Sequence, residues 1–231
     1  MRNERVLRFA RISLICALAI AANLVLFRTF LWWMPLFVDT VFTVAVAFAL
    51  GLLPGFAVAI LTWAADGVLG VGAQPFHPFV VVAAVEVGLV CALRPAEPPA
   101  RDGRFSRVPF FREHDPDIRD EKIVALLDVG WRLLILYFAC VLAASVIGGV
   151  IDLFYHTMWG ASRPYHIGIN AFRLALLQEG VPALYANILS RVQINLIDRL
   201  FVVFGGYFVY RGIAGVVEKA GRLGKHRLSG G

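Results

Sequence analysis

Glu86 is the one Asp, Glu, Lys or Arg in the apolar run 77–93, and it lies near the middle. A carboxylate in the middle of such a run is expensive to hold away from water, so a functional role is the first hypothesis. The alternative is a protonated Glu bonded to a neighbouring helix. Asp39 and Asp66 bracket a second apolar stretch, residues 38–70, in which they are the only charges. That stretch reads as two helices folded back through Leu52-Leu53-Pro54-Gly55, since Pro breaks the helix ladder and Gly permits reversal. Asp39 precedes Pro54 by fifteen residues and Asp66 follows it by twelve. At about 1.5 Å per residue, both carboxylates then lie roughly 18–22 Å from the turn, at one level. They read either as the rim of a polar site or as markers of two helix ends.

Further along, Asp152 and His156 are spaced i,i+4, as are Asp128 and Arg132. For Asp128 and Arg132, with the acid first, a structural salt bridge is the expected role. Asn195, Asp198 and Arg199 share one helical stripe, which a membrane helix would turn into its bundle. The nucleophile and phosphate motifs are absent: no Gly-x-Ser-x-Gly, no His-Glu-x-x-His and no Walker-type loop occurs. An intramembrane hydrolase is therefore unsupported, and the chain is not read as an enzyme. Cys16, Cys91 and Cys140 fall in apolar runs without paired spacing, so neither a disulfide nor a metal site is expected, and no cofactor is implied.

The elements that position these residues are membrane helices. Of 231 residues, 59% are hydrophobic and 16% charged, with a mean hydropathy of +0.74. No Lys or Arg occurs between Arg28 and Arg94, which points to lipid as the solvent. The fold class expected is all-α: a single polytopic membrane domain of six spans, 12–31, 38–53, 55–70, 77–93, 123–153 and 183–210. Residues 94–122, with seven basic and seven acidic residues and five prolines, form the one long polar loop. Trp32 and Trp33 close the first span as interfacial aromatics. The first span also carries Ala17 and Ala21, a small-residue face where another helix can approach.

Sixteen of the 22 Lys and Arg residues lie in the amino terminus, the 94–122 loop and the tail from Arg211. The positive-inside rule then puts both termini and that loop in the cytoplasm, with the chain in the cell membrane. Asp39, Asp66, His77, Asp152 and His156 would converge towards the outer side. The basic residues are accounted for by cytoplasmic segments, so nucleic acid is not an expected partner; the lipid bilayer is. No loop is long enough for an ATPase domain, so any transport must draw on a gradient or a partner.

With its size, six expected spans, Ala17-x-x-x-Ala21 and the pattern from Asp39 through Gly51-Leu52-Leu53-Pro54-Gly55, the chain resembles the substrate-binding S components of energy-coupling-factor transporters. The resemblance covers nearly the whole chain. It implies a binding subunit for a vitamin-like micronutrient, partnered by a transmembrane coupling subunit with ATPases. It also implies that Ala17 and Ala21 dock that partner. Trp32, Trp33, His77, Glu86, Asp152, His156 and Asn195 are the pocket residues it nominates, alongside Asp39 and Asp66. The long fifth and polar sixth spans depart from the family pattern. Two other classes remain: a membrane sensor module, and a small carrier using Glu86 and the aspartates as proton sites.

Overall fold

The computed structural model describes residues 2–33, 40–69, 79–95, 116–159 and 167–214. Among these the regular structure is entirely helical: α1 (Arg2–Trp33), α2 (Val41–Leu50), α3 (Leu52–Leu69), α4 (Val80–Leu93), α5 (Pro116–Trp159), α6 (Ile167–Gln178) and α7 (Ala183–Leu200). After Leu200 the last helix passes through a π turn, Phe201–Gly205, and continues to residue 214.

Four segments are long and apolar enough to cross a membrane: Phe9–Thr29, Leu52–Leu69, Ile123–Phe154 and Ala183–Ala214. Where six full-length spans were expected, two of the apolar helices are short. α2 has 10 residues and α4 has 14, about 15 and 21 Å against a hydrocarbon core of roughly 30 Å. α5 errs the other way. Its 44 residues extend about 66 Å, so it runs at a tilt or well past the bilayer.

The short α2 is the centre of the bundle. Seven of its ten residues are buried, and α1, α3, α4 and the π turn of the last helix surround it. The break between α2 and α3 is at Gly51, not at Leu52–Gly55 as the sequence suggested. Gly51 takes φ 87° and ψ −163°, a conformation that essentially only glycine adopts. Pro54 instead sits in the first turn of α3, where a missing N–H costs no helical bond. Val44, Ala47, Phe48, Val87, Val90, Leu136, Tyr137, Val202 and Val203 form the main apolar core near this end. Phe48 there meets Tyr207 edge-on, with centroids 5.6 Å apart, and stacks on Tyr210 at 5.9 Å.

α5 and α7 run antiparallel in the closest contact of the bundle. A Cβ on Gly149 would stand 2.9 Å from both the Cα and the backbone N of Ile188, so only glycine lets the two backbones approach this far.

Along α7 the order of polarity is inverted relative to a helix of a water-soluble protein. On α7, Asn187, Arg191, Asn195, Asp198 and Arg199 are buried, while Leu189, Leu196, Ile197 and Leu200 are exposed. Leu18, Val25, Leu61, Phe138 and Leu142 likewise face outwards. Water would drive that arrangement inside out, whereas lipid accepts the apolar exterior and penalises the charges. The chain is a membrane-embedded helical protein.

Candidate functional site

The buried stripe of α7 organises a polar seam. Asn187, Arg191, Asn195 and Arg199 recur every four residues, so they lie on one face over about 18 Å of helix. Each meets a polar group on a neighbouring helix.

At the deeper end, Arg199 Nη1 donates to Glu86 Oε1 in a close ion pair between α7 and α4. Glu86 is 0% exposed and Arg199 5%. Thr40, the residue before α2, joins them: its hydroxyl donates to Glu86 Oε2 at 3.2 Å and accepts from Arg199 Nη1 at 3.4 Å. The carboxylate thus lies by the positive end of α2, where the helix dipole favours an anion. Because Thr40 is turned to Glu86, it does not cap its own helix. Asn23 of α1 supplies that acceptor instead, taking the Phe42 N–H at 3.0 Å while its amide donates to Thr43 at 2.9 Å. Asp198, also fully buried, sits beside Arg199, and the π turn follows within two residues. Such turns interrupt the helix register and recur at functional sites.

One turn back along α7, Asn195 Nδ2 donates to Ser145 of α5 at 2.9 Å. A turn further, Arg191 grips Asp152 of α5 in a two-pronged pair, with Nε to Oδ2 at 2.5 Å and Nη2 to Oδ1 at 2.8 Å. The Phe79 ring covers its guanidinium at 4.7 Å. Gly148 makes room for this arginine, since a Cβ there would stand 2.9 Å from the Arg191 Cδ and Nη1. At the far end, Arg173 of α6 donates through Nε to Asn187 Oδ1. The seam is thus lined by paired charges and amides. At the Gly51 end it stops against Val202, Val203, Leu136 and Tyr137.

Of the residues singled out from sequence, Glu86, Asp152 and Asn195 lie on this seam. Asp152 is paired with Arg191 of α7. Asp66 is half-buried on α3. Trp32 and Trp33 end α1, and His156 lies in α5, but the side chains of all three are outside the described residues, as are Asp39 and His77 altogether. Ala17 and Ala21 are exposed on α1, whose opposite face, through Ala19, packs against Val46 and Val58. The Asp128–Arg132 pair forms at 2.9 Å on the exposed start of α5. Among the described residues no group of three His, Cys, Asp or Glu side chains is placed to hold a metal ion.

Arg191, Arg173, Asn187, Thr40 and Ser145 were not anticipated. For Arg191 and Asn187 the signal was present, because both fall on the stripe of Asn195 and Arg199 at the same four-residue step. Thr40 and Ser145 carry no charge, and only the packing reveals them.

Compared with models of known protein families, with curated proteins and with solved structures, the chain matches none.

Proposed function

We propose that the chain is a membrane-embedded substrate-binding subunit for uptake of a small, vitamin-like micronutrient, driven by a partner transmembrane subunit with ATPases. The observation that carries this reading is the seam. A bundle that needed only to be stable would gain more from apolar packing than from two buried ion pairs, because desolvating the charges offsets most of their attraction. Buried ionisable groups in a membrane are by default functional, and here they come from three separate helices, α4, α5 and α7. The exposed Ala17 and Ala21 face of α1 supports the docking half of the reading, because the described helices leave it uncovered.

In this reading six helices cross the cytoplasmic membrane, the short α2 and α4 within a locally thinned layer, with both termini inside. Glu86, Asp152 and Asn195 hold polar groups of the ligand, and Asp39, Asp66, His77, His156, Trp32 and Trp33 surround its entrance. Native mass spectrometry after gentle extraction from the source membranes tests the proposal. A retained small molecule together with a transmembrane subunit and ATPases is the expected result. The chain alone, reproducibly free of both, would overturn it and favour the sensor or carrier classes.

A further inference from the structure

At the α6–α7 junction the seam ends in hydrogen-bond donors. Asn187 is fully buried on α7, and its Oδ1 accepts from Nε of Arg173 on α6. That bond fixes the amide orientation, since the reverse would set its NH2 group against a guanidinium that has no acceptor to offer. Asn187 Nδ2 is therefore the amide's remaining donor, and it is buried with no hydrogen-bond partner among the described residues. A buried unsatisfied donor of this kind costs about 1–3 kcal/mol, so its retention calls for a reason.

Arg173 points the same way. Arg191, one turn along α7, is neutralised by Asp152, but among the described residues no carboxylate pairs with Arg173, whose one hydrogen bond is to Asn187. Its terminal nitrogens and Asn187 Nδ2 together offer donors around one positive charge, with no acceptor among them. A planar guanidinium beside an amide NH2 is a fitting frame for an oxyanion.

We infer that Arg173 and Asn187 form a binding site for an oxyanion, a carboxylate or phosphate group, at the α6–α7 end of the seam. The group belongs either to a free small molecule or to an anionic lipid headgroup. The inference does not rest on the transport reading, because binding is read on the isolated chain without any partner.

The test uses the purified full chain in detergent, titrated with inorganic phosphate and with succinate against chloride at matched ionic strength, with thermal midpoint as readout. In parallel, native mass spectrometry counts lipids retained from phosphatidylcholine nanodiscs with and without phosphatidylglycerol. Saturable stabilisation by phosphate or succinate identifies a soluble anion. Retained phosphatidylglycerol, without that stabilisation, identifies a lipid. In either case Arg173→Gln should weaken binding about tenfold or more, as loss of a charged hydrogen bond implies, and Arg173→Lys should restore part of it. Asn187→Asp provides the second variant: an internal carboxylate should neutralise Arg173, keep or raise the ligand-free midpoint, and abolish anion binding. No response beyond that of chloride, with no retained anionic lipid, would overturn the site. So would binding left unchanged by both Arg173→Gln and Asn187→Asp.

Discussion

Replacing Glu86 with Gln keeps the side-chain shape but removes the charge that faces Arg199. The guanidinium is then held among α2, α4 and α7 with side-chain exposure of only 6%, and it cannot shed its proton to escape. Breaking one side of a buried pair costs about 3–5 kcal/mol, a large share of the roughly 5–15 kcal/mol that stabilises a folded protein. For a chain of this size that corresponds to a drop in thermal midpoint of roughly 6–20 °C. Arg199→Met should cost a comparable amount by stranding Glu86. The double variant Glu86→Met with Arg199→Met strands neither charge. It leaves the Thr40 hydroxyl without its two partners, a loss of about 1 kcal/mol, so most of the stability should return. Thermal unfolding of the four proteins in one detergent measures the cycle. The energies would be strongly non-additive, by several kcal/mol, as expected for groups in direct contact. Single variants costing under about 1 kcal/mol, the ordinary scale of interhelical hydrogen bonds in membranes, would refute the reasoning, as would an additive double variant. The double variant also separates structure from function: restored folding without restored ligand retention is what a binding role for Glu86 requires.

The other predictions concern backbone contact, surface charge and the second pair. Gly149→Ala should push α5 from α7, because its Cβ meets the Ile188 backbone at 2.9 Å; a loss of about 1–3 kcal/mol is expected in the same unfolding assay. Gly51→Ala should cost about 1–3 kcal/mol for its backbone conformation alone, although no atom lies within 4 Å of the added Cβ. Asp128→Asn removes an exposed pair and should change stability by no more than about 0.5 kcal/mol. Asp152→Asn leaves Arg191 buried under Phe79 and should rank with Glu86→Gln in the loss of thermal midpoint, far above Asp128→Asn.

The sequence carried the class of the fold because its cause is local: long apolar runs without cations can only be membrane helices. The inward stripe of α7 was legible for the same reason, since residues four apart share a face whatever surrounds them. Partners were another matter. That Glu86 is costly follows from its apolar neighbours, but that Arg199 answers it depends on α4 and α7 standing side by side, 113 residues apart in the chain. The same holds for Asp152, whose pairing with Arg191 depends on α5 and α7 packing side by side, 39 residues apart in the chain. The hairpin shows a different gap. Pro54 and Gly51 both break helices in the abstract, yet Pro is harmless in a first turn, and only the positive φ at Gly51 shows which residue reverses the chain. α6 was hidden because its twelve residues lie within a polar, aromatic segment with no long apolar run.

The seam's role as a ligand route is most directly tested by thiol accessibility along α7, on a background with Cys16, Cys91 and Cys140 replaced by Ala. Asn187→Cys and Asn195→Cys place thiols on the seam, and Leu189→Cys and Leu200→Cys place them on the exposed apolar face. In intact membranes, a membrane-impermeant thiol reagent applied to one side at a time should modify the two seam positions from a single side. The two lipid-facing positions should not react. Seam positions that stay unreactive from both sides would mean a dry structural core, contradicting a ligand-binding role for Glu86, Asp152 and Asn195.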